Sequence, residues 1–91
     1  MPTFIVESYA AESVVDAQRR RAQLAAHLKP GVRYVRTTFL PTDETVLHVF
    51  EAPSAEALHQ AARDAALTCD RITEAVEAAT SGADAEGGLE R

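Results

Sequence analysis

Residues Thr3–Tyr9 (TFIVESY) are β-branched and aromatic in sequence and read as a strand. The period then changes. Val14, Ala17, Leu24 and Leu28 recur at helical spacing, which predicts a helix with Ser13 as N-cap and Asp16 completing a capping-box-like pattern. Lys29-Pro30-Gly31 combines a cation, a breaker and a glycine, and stops this helix. Two more strands follow, Val32–Leu40 and Glu44–Glu51, joined by a turn at Pro41–Glu44 (PTDE). Ser54 caps a second helix with Glu56 in its first turn. Leu58, Ala61, Ala62 and Ala65 give that helix a narrow apolar stripe, and it ends near Ala66. Ile72–Ala78 alternates and reads most simply as a fourth strand, with a helical continuation through EAVEAAT the alternative by propensity. The residues divide into a domain over 1–80 and a Gly-rich, acidic tail over 81–91, which lacks an apolar face and is expected to be disordered.

Two strand–helix–strand halves in tandem predict an α+β, ferredoxin-like βαββαβ fold: a four-stranded antiparallel sheet with both helices on one face. The first strand lies between the third and fourth, and this reading makes the first and third parallel. Alternation gives each strand two rows. Phe4, Val6, Val35, Phe39, Leu47 and Val49 form one apolar set, assigned to the helix side. Ile5, Glu7, Tyr9, Tyr34, Arg36, Thr38, Leu40, Val46, His48, Phe50, Glu74 and Val76 form the open face. On this assignment Glu7 neighbours both His48 and Glu74. In the first helix Arg21 falls near the middle of the apolar stripe, so it either snorkels along the helix edge or reaches an acid at the rim.

Composition narrows the partners. The chain has 91 residues, a formal charge of −5, no Trp and a core that must be built from Val, Ile, Leu and Ala. So thin a core favours pairing with a second copy, and a homodimer is the default expectation. Lys29 is the single lysine and Arg19-Arg20-Arg21 the only basic run, which argues against nucleic acid. The N-terminus does not read as a signal or transit peptide, and no apolar run approaches a membrane span. Cys69 is alone, with no partner for a disulfide or a CxxC knuckle. All of this fits a cytoplasmic protein.

The opening MPTFIVESY, the GVRYVRTTF strand, VLHVFEAPSAEAL and the Asp70-Arg71-Ile72-Thr73-Glu74 segment together resemble small bacterial ferredoxin-like proteins of domain-of-unknown-function family 4242, which includes a nickel-binding member. The resemblance covers about residues 1 to 78. It implies a ferredoxin-like fold, commonly a dimer packed sheet on sheet, and supports a strand at Ile72–Ala78. It also implies nickel as a divalent-metal cofactor. Relatives often carry a His where this chain has Ala61, and the first strand here has Glu7 and no His.

The open face, apolar with a few chargeable groups, is what a ligand site or an interface looks like. Glu7, Tyr34, Arg36, His48 and Glu74 are the candidate ligand-binding residues. His48 with Glu7 is the candidate metal pair, or a general base. His59 reads as exposed, His27 as complementing its helix terminus, and Cys69 as a packing residue rather than a nucleophile. The expected function is a binding protein that holds a small ligand or a nickel-type divalent metal on the open face of a homodimer. The alternative is a cofactor-free enzyme in the same cavity, for oxygenation, isomerisation or cyclisation.

Overall fold

In the computed structural model, which describes residues 1–76, the order of elements is β1 (Thr3–Tyr9), a 3-10 turn (Glu12–Val14), α1 (Val15–Leu28), β2 (Arg33–Leu40), β3 (Thr45–Glu51), α2 (Ala55–Asp64) and β4 (Arg71–Ala75). The strands form one sheet in the order β2-β3-β1-β4, and every neighbouring pair is antiparallel. The ferredoxin-like α+β fold is therefore present, and Arg71–Ala75 is a strand rather than a helix. The end of the expected fourth strand, 77–78, and the tail over 81–91 lie outside the described residues. Among the described residues no helix is long and apolar enough to cross a membrane.

The β1–β3 pair is antiparallel, not parallel, and its register decides the faces. Phe4 lies opposite Phe50, Val6 opposite His48 and Ser8 opposite Val46. Residues directly opposite in a ladder share a face. Phe4, Val6, Ser8, Val46, His48 and Phe50 are all buried under the helices. Leu47 and Val49 therefore point to the open face, the reverse of the expected parity for β3. Both rows of β3 are apolar, so alternation alone does not distinguish them.

The turn at Pro41–Glu44 forms as expected, with the Glu44 amide donating to the Pro41 carbonyl at 3.3 Å. It sets Leu40 opposite Thr45, Phe39 opposite Val46 and Thr37 opposite His48. Between Tyr34 and Arg36 the register slips by one residue, a β-bulge at Val35. Tyr34 consequently packs on the core, edge-on to Phe50 at 5.8 Å between ring centroids. Val35, expected on the helix side, is instead 37 % exposed.

Helix α1 starts without a side-chain cap, so Ser13 is not its N-cap; the Val14 amide instead donates to the Ala11 carbonyl in the preceding turn. Asp16 bonds Arg19 and lies 2.7 Å from Arg20. The Arg19 hydrogen bond, then the charge of Arg20, holds its carboxyl below the usual range. The buried face of α1 is Ala22 and Ala25, while Val14, Leu24 and Leu28 are 42 %, 43 % and 47 % exposed. The expected leucine stripe is therefore on the wrong side of the helix. Alanine, with nothing beyond Cβ, lets α1 approach the sheet closely. At its C-terminus Gly31 takes φ 90 over Pro53.

Helix α2 follows the sequence closely. Ser54 Oγ accepts from the Ala57 amide, and Leu58, Ala61 and Ala62 are buried. Its C-terminus is a Schellman motif: the Leu67 amide donates to Ala62 O at 2.8 Å and the Ala66 amide to Arg63 O at 3.1 Å. Ala66 occupies the left-handed position at φ 55, where glycine is usual. The reversal turns Leu67 back into the core. Arg21 reaches a carbonyl rather than an acid: its Nη1 donates to Ala66 O at 3.0 Å, tying α1 to this turn. The strain at Ala66 leads to a prediction: Ala66→Gly should stabilise the fold by about 0.5–1 kcal/mol, less than the full left-handed penalty because glycine gains entropy when unfolded. Urea unfolding measures it, and a destabilised variant would show that Ala66 is unstrained.

Candidate functional site

The two faces of the sheet carry different chemistry. On the helix side, the two hydroxyls of β2 lead inward to a buried imidazole. Tyr34 Oη is 2.7 Å from Thr37 Oγ1, and Thr37 Oγ1 is 2.8 Å from His48 Nδ1. Because each hydroxyl both donates and accepts, this chain suits either tautomer of His48. His48 itself is 0 % exposed, and its Nε2 has no partner among the described residues. Burial pushes the pKa of His48 down from 6.5 to about 4. Ser8 Oγ, on the neighbouring strand and the same face, is also buried without a partner among the described residues.

On the open side, the register lays out a grid of cross-strand rows. Thr38, Leu47, Glu7 and Arg71 form one; Arg36, Val49, Ile5 and Thr73 the next; Arg33, Glu51, Thr3 and Ala75 the last. A cavity of about 350 Å³ opens over the last two rows, lined by Thr3, Ile5, Val35, Arg36, Val49, Glu51, Ala75 and Val76. Its acid is tied back: Arg33 Nε and Nη2 both lie 2.8 Å from Glu51 Oε1. Among the described residues Arg36 has no carboxylate within salt-bridge distance. The bulge is what equips the cavity, because it lets two consecutive residues, Val35 and Arg36, line the same space.

The candidate residues read from the sequence do not converge. Arg36 lines the cavity. Glu7 shares the open face but lies one row away, between Leu47 and Arg71 rather than between His48 and Glu74. Tyr34 and His48 are on the helix side. Glu74 lies opposite Phe4, so its row is also the helix-side one, exposed at the sheet edge. Glu7 and His48 are on opposite faces, which removes the expected metal or acid–base pair. The sequence reading missed Thr37, Ser8, Val35 and Glu51. Counting outward from the Pro41–Glu44 turn would have found Thr37 opposite His48, since Leu40 must pair with Thr45. Cys69 is half-buried against the core, and burial, then the charge of Asp70, pushes its thiol pKa up, away from nucleophilic use.

Residues 5–75 match the model of a family described as nickel responsive protein SCO4226-like. The crystal structure of SCO4226 from Streptomyces coelicolor A3(2) is similar, with a TM-score of 0.66 at 25% identity, covering 85% of this chain and 99% of that one. No curated protein matches this chain.

The buried imidazole makes stability depend on pH in a defined direction. Its pKa is about 4 in the fold against an ordinary value of 6.5. Above 6.5 neither state is protonated and the stability is fully present. Between 6.5 and 4 the unfolded chain binds a proton that the fold refuses, so stability falls as pH falls, by about 3 kcal/mol in all. Urea unfolding across this range should show that slope in the wild type and its loss in His48→Gln. An unchanged slope in the variant would mean that other groups carry it.

Proposed function

The chain belongs to the SCO4226-like family, and from that premise we propose that it is a non-catalytic binding protein, paired through its open sheet face and holding a small organic ligand in the cavity there. The cavity itself carries this reading: about 350 Å³, with an apolar floor of Ile5, Val35 and Val49 and a polar rim. A second copy laid on the open face would close it. Val35 and Leu40 are exposed there and Ile5 and Leu47 half-buried, an apolar surface that pairing would remove from water. At this chain length the buried core is small, so the added area matters.

The nickel connection belongs to the family by its description. For this chain we read it as a nickel-related role rather than a resident nickel centre, because the donors do not fit. The one histidine of the sheet has its free nitrogen sealed inside the core, while Glu7 opens to the other face. Among the described residues no three His, Cys, Asp or Glu side chains stand together as a metal site. Nickel prefers converging imidazole, thiolate or carboxylate donors, and the described residues of one chain bring no such set together. The enzyme alternative is weaker on the same ground, since a general base must reach its substrate and His48 does not line the cavity.

Two measurements test this reading. Sedimentation should find a dimer at micromolar concentration, and Leu47→Glu, which puts a charge in the middle of the open face, should weaken it. A wild-type monomer at that concentration would overturn the pairing. Calorimetric titration with Ni²⁺ should give equally negligible heats for wild type and His48→Gln. Stoichiometric binding lost in the variant would restore His48 as a metal ligand.

A further inference from the structure

The cavity on the open face holds one cation, Arg36, that no carboxylate among the described residues neutralises. Glu51, the acid of its rim, is engaged through one oxygen by both Nε and Nη2 of Arg33. Glu7 lies a row away and faces Arg71 across the β1–β4 ladder. Arg36 remains, an exposed guanidinium on the same face as Ile5 and Val49, with no carboxylate within salt-bridge distance among the described residues. Without the bulge, strict alternation would place Tyr34 and Arg36 on one face. With it, Tyr34 enters the core and Val35 and Arg36 line the cavity together. A bulge interrupts ladder hydrogen bonding and so costs stability, and bulges concentrate beside functional sites where they re-aim a side chain.

We infer that the ligand of this cavity is a small amphipathic monocarboxylate, its carboxylate paired with Arg36 and its hydrocarbon body on Ile5, Val35, Val49, Ala75 and Val76. The inference rests on the reading of the open face as a ligand site and names the ligand class. A guanidinium presents a planar fork of donors that matches a carboxylate in two parallel hydrogen bonds. The one positive charge left uncompensated among the described residues that line the cavity suits a monoanion; a phosphate dianion would leave charge unpaired beside Glu51. An ammonium ligand would have to compete with Arg33 for Glu51 while facing Arg36. The apolar floor excludes a fully polar anion, which would lose hydration there without replacement.

The test uses the full chain, labelled with ¹⁵N, titrated separately with hexanoate, 1-hexanol and hexylamine while amide shifts are followed. Hexanoate should move the amides of Ile5, Arg36 and Val49 saturably. Its affinity should exceed that of hexylamine by about tenfold or more, the value of one charge-assisted hydrogen-bonded pair. Arg36→Gln should lose a similar factor for hexanoate and little for 1-hexanol, with the remaining amide spectrum and the sedimentation coefficient unchanged. Arg36→Lys should restore part of the loss. If hexylamine binds as tightly as hexanoate, or Arg36→Gln binds hexanoate like the wild type, the carboxylate assignment is wrong while the cavity stands as a ligand site. If none of the three shifts the cavity amides, the ligand-site reading itself falls and takes this inference with it.

Discussion

The register of β2 on β3 governs the rest of the structure. The turn at Pro41–Glu44 sets it, and the bulge at Val35 shifts it by one residue near the open end of the hairpin. Side chains alternate along a strand, so a one-residue slip exchanges faces for everything beyond it. On the turn side of the slip, Thr37 is held opposite His48 and Phe39 opposite Val46, both under the helices. Beyond it, Tyr34 returns to the core beside Phe50, and Arg33 meets Glu51 at the open rim. Core and cavity are thus two consequences of one backbone feature.

The core pays for polarity at its centre. His48 and Ser8 occupy positions that aliphatic residues would fill at less cost, and each retains an atom without a partner among the described residues. A buried polar atom left unpaired costs about 1–3 kcal/mol. The Tyr34–Thr37–His48 chain limits that cost on one side of the ring, which explains why two hydroxyls of an edge strand are directed inward. The low proton affinity of His48 follows from the same burial. Its exchange with solvent requires the sheet and helices to part, so it acts on stability rather than on a ligand at the open face.

Polar ties at the domain's rim accompany the apolar packing of the helices. Arg21 holds Ala66 O at the end of α2, Gln18 Oε1 accepts from the Thr68 amide at 3.4 Å, and Lys29 reaches Gln60 at 2.9 Å. Alanines at 22, 25, 61 and 62 keep both helices close to the sheet. With the helix side filled in this way, the opposite face of the sheet keeps the cavity and the Arg36 guanidinium that lines it.

Local chemistry was legible in the sequence wherever a residue acts on its own neighbours. The Ser54 cap, the Leu58–Ala61–Ala62 stripe, the turn at Pro41–Glu44 and the stop at Gly31 all follow from short-range rules, whereas at Arg71–Ala75 propensity left strand and helix open and the pairing with β1 makes it a strand. The two-half pattern also specified the ferredoxin-like topology, because few arrangements satisfy it. Faces and sites were decided in three dimensions. Both rows of β3 are apolar, so only pairing with β1 and β2 determines that His48 looks inward and Leu47 outward. A bulge leaves no mark in composition, so Tyr34 and Arg36 could not be separated by alternation. In α1 leucines and alanines both recur at helical spacing, and the close approach to the sheet selects the alanines. The uncapped start of α1 likewise depends on the turn that precedes it rather than on Ser13. Periodicity defines which residues share a face; only the partner strand or helix decides what that face meets.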